Sequence, residues 1–129
     1  MFDYVLKGGL VIDPKNQICS GLNLGIGDGR IAAVTLDDIS GGQVLDCSGF
    51  VVSPGFVDVH MHEDPYDENM KDFKLCIADC MLKMGVTAVL GGNCGAGPQD
   101  PIEYLKAAES RGYPTNIGLL SAHGSLRDS

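Results

Sequence analysis

Two short stretches of this 129-residue chain hold the residue types best suited to chemistry. The first, SPGFVDVHMHEDPYDEN at 53–69, contains His60 and His62, two of the three histidines. The second, LGGNCGAGP at 90–98, sets Cys94 among Gly91, Gly92, Gly95 and Gly97. On a strand, residues i and i+2 share a face, about 6.6 Å apart along the chain. Asp58, His60 and His62 are therefore expected on one face, with Val57, Val59 and Met61 on the other. Three polar groups on one side of a strand are costly to bury without partners. A metal ion would satisfy both imidazoles, with Asp58 behind them. A solvent-facing edge strand would satisfy them with water instead.

Cys94 follows the next apolar run, where glycines let the backbone turn sharply and leave room for a close approach. Its thiol could join the same ion, because zinc takes Cys, His and carboxylate donors and thiolate favours zinc over magnesium. Two other readings stay open: a buried structural thiol in a Gly-rich turn, and a phosphate cradle. Against the cradle, the Lys-Ser/Thr pair of a P-loop is absent and G-x-G-x-x-G is not matched. His123, in SAHGSLRD, closes a third apolar run, where it is either a site residue or a structural histidine. Cys76 and Cys80, four apart and in register with Phe73 and Ile77, are expected in the core. Cys19 and Cys47 show no partner pattern.

The elements that must position these residues follow from periodicity and punctuation. YVLKGGLVIDP offers two apolar runs broken at Gly8–Gly9, a hairpin signal. LNLGIGDGRIAAVT turns at Asp28–Gly29, a pair suited to the positive φ angles of a tight hairpin. QVLDCSGFVVSPG adds two strands around Ser48–Gly49, so residues 1 to about 52 read as a small antiparallel β unit. From Pro54 the pattern changes. GFVDVHMH reads as a strand, and ENMKDFKLCIADCMLKMG as a helix stopped by Gly85. VTAVLGG reads as a strand, PIEYLKAAESR as a helix capped by Asp100 with Pro101 at its first position, and TNIGLLSAH as a third strand. This is the βαβ rhythm of a parallel sheet or barrel, whose sites lie at strand ends.

Composition bounds the function. The apolar fraction is 44% and the formal net charge −8, with nine scattered Lys and Arg. That excludes nucleic acid and an anionic membrane surface as main partners. No run approaches the roughly 18 apolar residues of a membrane span, and MFDYVLKGG lacks a signal-peptide pattern. Five cysteines without framework spacing fit free thiols in a reducing cytoplasm. Glycine, at 18 residues, is about twice its usual share of roughly 7% and falls at the ends of apolar runs, where it marks turns.

VLKGGLVIDP, LGIGDGRIAAV and LDCSGFVVSPGFVDVHMH resemble the N-terminal region of the amidohydrolase superfamily, and GVTAVLGGNCG and SAHGSLR resemble its D-aminoacylase (N-acyl-D-amino-acid deacylase) group. The resemblance runs through essentially the whole chain, and Asn-Cys-Gly is its most discriminating part. It implies an α/β fold in which 1–52 contribute to a small β-sandwich and 53–129 form the first three β/α units of a TIM-like (β/α)8 metal-dependent hydrolase barrel, left incomplete. By the same resemblance Cys94 matches the cysteine that holds the group's zinc, while His60 and His62 match a pair serving a second, more weakly held metal. His123 matches an element beside the substrate. The implied reaction is hydrolysis of the amide bond of a small N-acyl-D-amino acid by metal-activated water. The group's remaining zinc histidines and its general-base aspartate correspond to positions beyond Ser129, so the isolated chain is expected to be inactive and to need the remainder of a longer chain or self-association. GAGPQDP after the cysteine, and HMHED for the commoner HTHDD, depart from the group and bear on specificity rather than on the ligands. Two alternatives accompany this reading: a cyclic amidase of the hydantoinase or dihydroorotase kind, against which Cys94 counts, and a small non-catalytic metal-binding α/β protein.

Overall fold

The computed structural model describes residues 1–67 and 69–127, which divide into two compact units, Met1–Pro54 and Gly55–Ser129. The first is a mixed sheet of five strands: β1 (Phe2–Asp13), β2 (Ile18–Gly27), β3 (Arg30–Thr35), β4 (Gly41–Asp46) and β5 (Val51–Val52). Its order is β3-β2-β1-β4, with β5 also on β1. The Asp28–Gly29 turn joins β2 to β3 with both residues at positive φ, 52° and 68°, as the sequence predicted. Val5, Val11 and Leu24 form the buried apolar centre of this unit.

Two readings of this half need correction. Gly8–Gly9 does not turn the chain. β1 runs straight through it, with only a register irregularity against β2 between Leu6 and Gly9. The unit is also not purely antiparallel, because β4 and β5 pair parallel with β1. Ser48 and Gly49 interrupt one edge rather than folding a hairpin: Cys47 N–H donates to Lys7 O at 2.8 Å and Leu10 N–H to Phe50 O at 2.9 Å. Alternation fixes which residues share a face but carries no information about strand direction.

The second unit holds a three-stranded parallel sheet, order β10-β9-β6, made of β6 (Phe56–Asp58), β9 (Val86–Gly91) and β10 (Asn116–Leu119). The short helix α1 (Ile77–Lys83) lies between β6 and β9 in the chain, and α2 (Pro101–Arg111) between β9 and β10. Sequence reading of α2 was accurate at both ends. Asp100 Oδ1 accepts the N–H groups of Ile102 and Glu103, each at 2.9 Å, Pro101 occupies the first position, and Gly112 ends the helix at φ 80°. Asp100→Ala is expected to cost about 1 kcal/mol, read as a lowered midpoint in thermal unfolding followed by circular dichroism.

The helix predicted from Glu68 onward is shorter than its pattern. Glu68 itself lies outside the described residues, and Tyr66–Asp67 (β7) instead pairs antiparallel with Asp72–Phe73 (β8). Phe73 leaves the helical register because its ring is taken by an aromatic cluster: it meets Tyr66 and Tyr104 at 5.0 Å and Tyr113 at 5.4 Å between centroids. Such tilted and edge-on pairs add to simple burial. With the helix starting at Ile77, Cys76 and Cys80 are exposed, contrary to their predicted core positions. Among the described residues no helix is long and apolar enough to cross a membrane.

Candidate metal centre

Strand β6 stops at Asp58, four residues before His62, where the strand pattern would have ended it. The reason is local. Asp58 Oδ1 turns back to accept the main-chain N–H of His60 at 2.9 Å, which closes a tight turn at the strand end. His60 and His62 therefore do not share the face of a strand. They sit on the loop beyond its C-terminal end, both exposed, with ring centroids 6.4 Å apart. Met61 between them is 3% exposed and anchors the loop in the core.

Cys94 reaches the same place from β9. After Gly91 the chain makes a tight 3-10 turn, Asn93–Gly95, in which Cys94 is itself left-handed at φ 60° and ψ 17°. That conformation costs a residue with a Cβ on the order of 1 kcal/mol, so its surroundings must enforce it. Asn93, which is buried, does part of this: its Nδ2 donates to Leu90 O at 2.7 Å and to Met61 O at 3.2 Å. Gly92, at φ 74°, passes so close to the Leu120 carbonyl that no side chain would fit there.

The result is a cluster of three donors. Cys94 Sγ lies 3.4 Å from His60 Nε2. Donor atoms of His60, His62 and Cys94 all lie within 4.8 Å of one another. Two imidazole nitrogens and one sulfur at that spacing fit a tetrahedral zinc, which accepts N and S donors at about 2.0–2.3 Å and can keep a fourth position for water or substrate. The exposed thiol also removes the buried structural cysteine as a reading. His123, expected at a strand end, instead opens the short helix α3 (His123–Arg127). Its ring lies against Gly95, where an added Cβ would stand 3.2 Å from His123 Cε1. The histidine is thus beside the cysteine turn and outside the three-donor cluster.

Sequence reasoning missed the residues that hold these loops. Asp64 is fully buried. Its Oδ1 accepts Cys76 and Ile77 N–H, each at 2.7 Å, and its Oδ2 accepts Ala78 N–H and Tyr113 OH, each at 2.9 Å. Its carbonyl accepts the Tyr104 hydroxyl at 2.7 Å. Asp64 thus satisfies the first amides of α1 from twelve residues away, where a local cap would have been sought. Burial alone would raise its pKa. The bonds from Ala78, Ile77, Cys76 and Tyr113 outweigh that and hold it below the usual carboxylate range. Burial, ahead of the bond to Asp64, pushes Tyr113 up to about 12. The available signal was an acidic residue shortly after the histidines, but nothing local names its partners. Glu63, half-buried, accepts the Gly92 N–H at 2.7 Å. It borders a cleft of about 350 Å³ between Pro65–Tyr66 and Pro98–Asp100.

Comparison with known proteins gives this geometry a setting. The sequence pattern of the amidohydrolase family matches residues 43–111. D-aminoacylase of Alcaligenes xylosoxydans xylosoxydans is 33% identical over 98% of this chain, which spans 30% of that enzyme. N-acyl-D-glutamate deacylase from Bordetella bronchiseptica, solved with zinc and a phosphonate mimic of the reaction's tetrahedral intermediate, is 28% identical with a TM-score of 0.77. It is covered over 98% of this chain and 30% of its own. A D-aminoacylase structure addressing the role of a binuclear metal centre is 32% identical, with a TM-score of 0.78 over 98% of this chain and 31% of its own. The chain thus spans about a third of the length of the relatives it matches.

Proposed function

Because this chain belongs to the amidohydrolase family, we propose that it is the metal-bearing N-terminal portion of a zinc-dependent hydrolase of N-acyl-D-amino acids. The observation that carries the reading is the His60–His62–Cys94 cluster, since a thiolate donor is what sets the D-aminoacylase group apart from cyclic amidases. In this reading 1–52 belong to a β-sandwich and 53–129 begin a (β/α)8 barrel. The exposure of Phe56, Val57 and Val59 in and just after β6, which ends the sheet order, supports it, because a further strand paired at that edge and the layers packed on it would cover them.

Within the proposal His60, His62 and Cys94 hold zinc, the cysteine tightly and the histidine pair with room for a second, weaker ion. The chemistry zinc supplies is Lewis-acid polarisation of the acyl carbonyl and acidification of water. Asp58 fixes the His60 main chain and so aims the ring. Left-handed Cys94 presents its sulfur outward, into the space the imidazoles face. His123 lies beside the cysteine turn, where it can donate to an acyl or carboxylate oxygen of the substrate. The proton-accepting carboxylate is assigned to strands this chain does not contain, so the chain alone is expected to hydrolyse nothing.

A chimera tests the reading: residues 1–127 replace the matching segment of the Alcaligenes D-aminoacylase. Release of D-amino acid from N-acetyl-D-amino acids is expected, with N-acetyl-L-amino acids untouched and activity lost on Cys94→Ala. A folded, zinc-loaded chimera that opens hydantoins and leaves N-acyl-D-amino acids intact would sink it.

A further inference from the structure

We infer that Glu63 is the positioning residue for Cys94: its carboxylate clamps the Gly92 amide and thereby fixes the turn that aims the thiol at His60 and His62. Its consequence for metal rests on the zinc-centre reading above, but the clamp itself rests on geometry. Glu63 follows His62 by one residue, and Gly92 precedes Cys94 by two. The 2.7 Å bond from Gly92 N–H to Glu63 Oε2 therefore ties the loop that bears both imidazoles to the turn that bears the thiol.

The end of β9 holds the histidine loop through Met61 N–H to Leu90 O at 3.3 Å, but it stops one residue short of Gly92. Strand β9 ends at Gly91, whose carbonyl accepts Leu120 N–H at 3.0 Å in the last rung. The next amide, that of the buried Gly92, is the one Glu63 takes. On the other side of the turn Asn93 binds the Leu90 and Met61 carbonyls. The two side chains thus grip the residues immediately before Cys94 through opposite chemistry: a carboxylate accepts the Gly92 amide, and a carboxamide donates to the Leu90 and Met61 carbonyls, the first of which also accepts Met61 N–H. A half-buried carboxylate accepting a buried N–H makes a charge-assisted bond, the stronger kind. Its second oxygen, Oε1, comes to 3.3 Å from where a Cβ on Gly97 would stand, so the loop packs around the carboxylate on both sides of Cys94. Groups that orient ligands in this way typically change metal affinity by about 10–100-fold when removed.

The test uses the 129-residue chain with Glu63→Ala and Glu63→Gln, the latter keeping a carbonyl oxygen able to accept. In metal-free protein, amide hydrogen exchange at Gly92 followed by NMR is expected to be about tenfold faster in Glu63→Ala, the factor a lost charge-assisted bond gives. Glu63→Gln restores most of the protection and keeps Val89 exchange and the unfolding midpoint close to wild type. Titration with Co(II), read by its thiolate charge-transfer band, is expected to show about tenfold or greater weakening in Glu63→Ala, with rescue by Glu63→Gln. Unchanged Gly92 exchange in Glu63→Ala, or equal loss in both variants, overturns the clamp. A wild-type chain that binds no Co(II) removes the metal reading alone, and Gly92 exchange still decides the clamp.

Discussion

Cys94→Ala is expected to lower zinc affinity by more than about a hundredfold, beyond the 10–100-fold range seen when only a group behind a ligand is lost. The sulfur lies 3.4 Å from His60 Nε2 and is one of three donor atoms gathered within 4.8 Å. Without it two imidazoles remain, on a loop that follows a strand of three residues. The neighbouring carboxylates of Asp58 and Glu63 offer no replacement for the thiolate, because they are turned to the main-chain amides of His60 and Gly92. The measurement is zinc content per chain after reduction, chelation and re-metallation. Wild type is expected to retain zinc and the variant to lose it. A variant that holds as much zinc as wild type would remove Cys94 from the ligand set. Loss of zinc from both would mean that three donors do not hold an ion in this chain.

The second large effect concerns stability. Asp64→Ala is expected to destabilise the second unit by about 3–5 kcal/mol, as breaking a buried, fully bonded charge does. It strips partners from three helix amides and the Tyr113 hydroxyl together. For a unit of this size that is a fall in midpoint of about 20–30 °C, read by thermal unfolding in the far ultraviolet. The pH dependence has a definite sign. The folded-state pKa of Asp64 lies below the ordinary value. Its contribution is therefore complete above the unfolded pKa of about 3.9 and disappears as pH drops through the lower folded value. Wild type should lose this increment in acid, whereas Asp64→Asn, which cannot titrate, should lack that part of the profile. A midpoint for Asp64→Ala within a few degrees of wild type would show that α1 finds its cap elsewhere.

Much of this protein is legible one residue at a time. The Asp28–Gly29 hairpin and both ends of α2 are set by residues whose backbone preferences and side-chain reach act within four positions. Apolar runs of strand length fixed β9 and β10, and their alternation with helices fixed the parallel order of the second sheet. The three candidate donors were visible for the same reason: histidine and cysteine just beyond apolar runs are chemically conspicuous whatever surrounds them.

Tertiary structure decided everything that depends on partners far apart in the chain. Periodicity put His60 and His62 on a strand, but Asp58 ended it first by taking an amide two residues on. It put Phe73 on a helix, but three tyrosines claimed its ring and left α1 to begin at Ile77. The direction of β4 and β5 beside β1 was hidden because pairing in either sense presents the same alternating pattern. The roles of Glu63 and Asp64 are hidden more deeply. Neither acid carries a local signal that names its partner. Only the folded chain brings Gly92 to the first and the start of α1 to the second, so that both acids serve as supports.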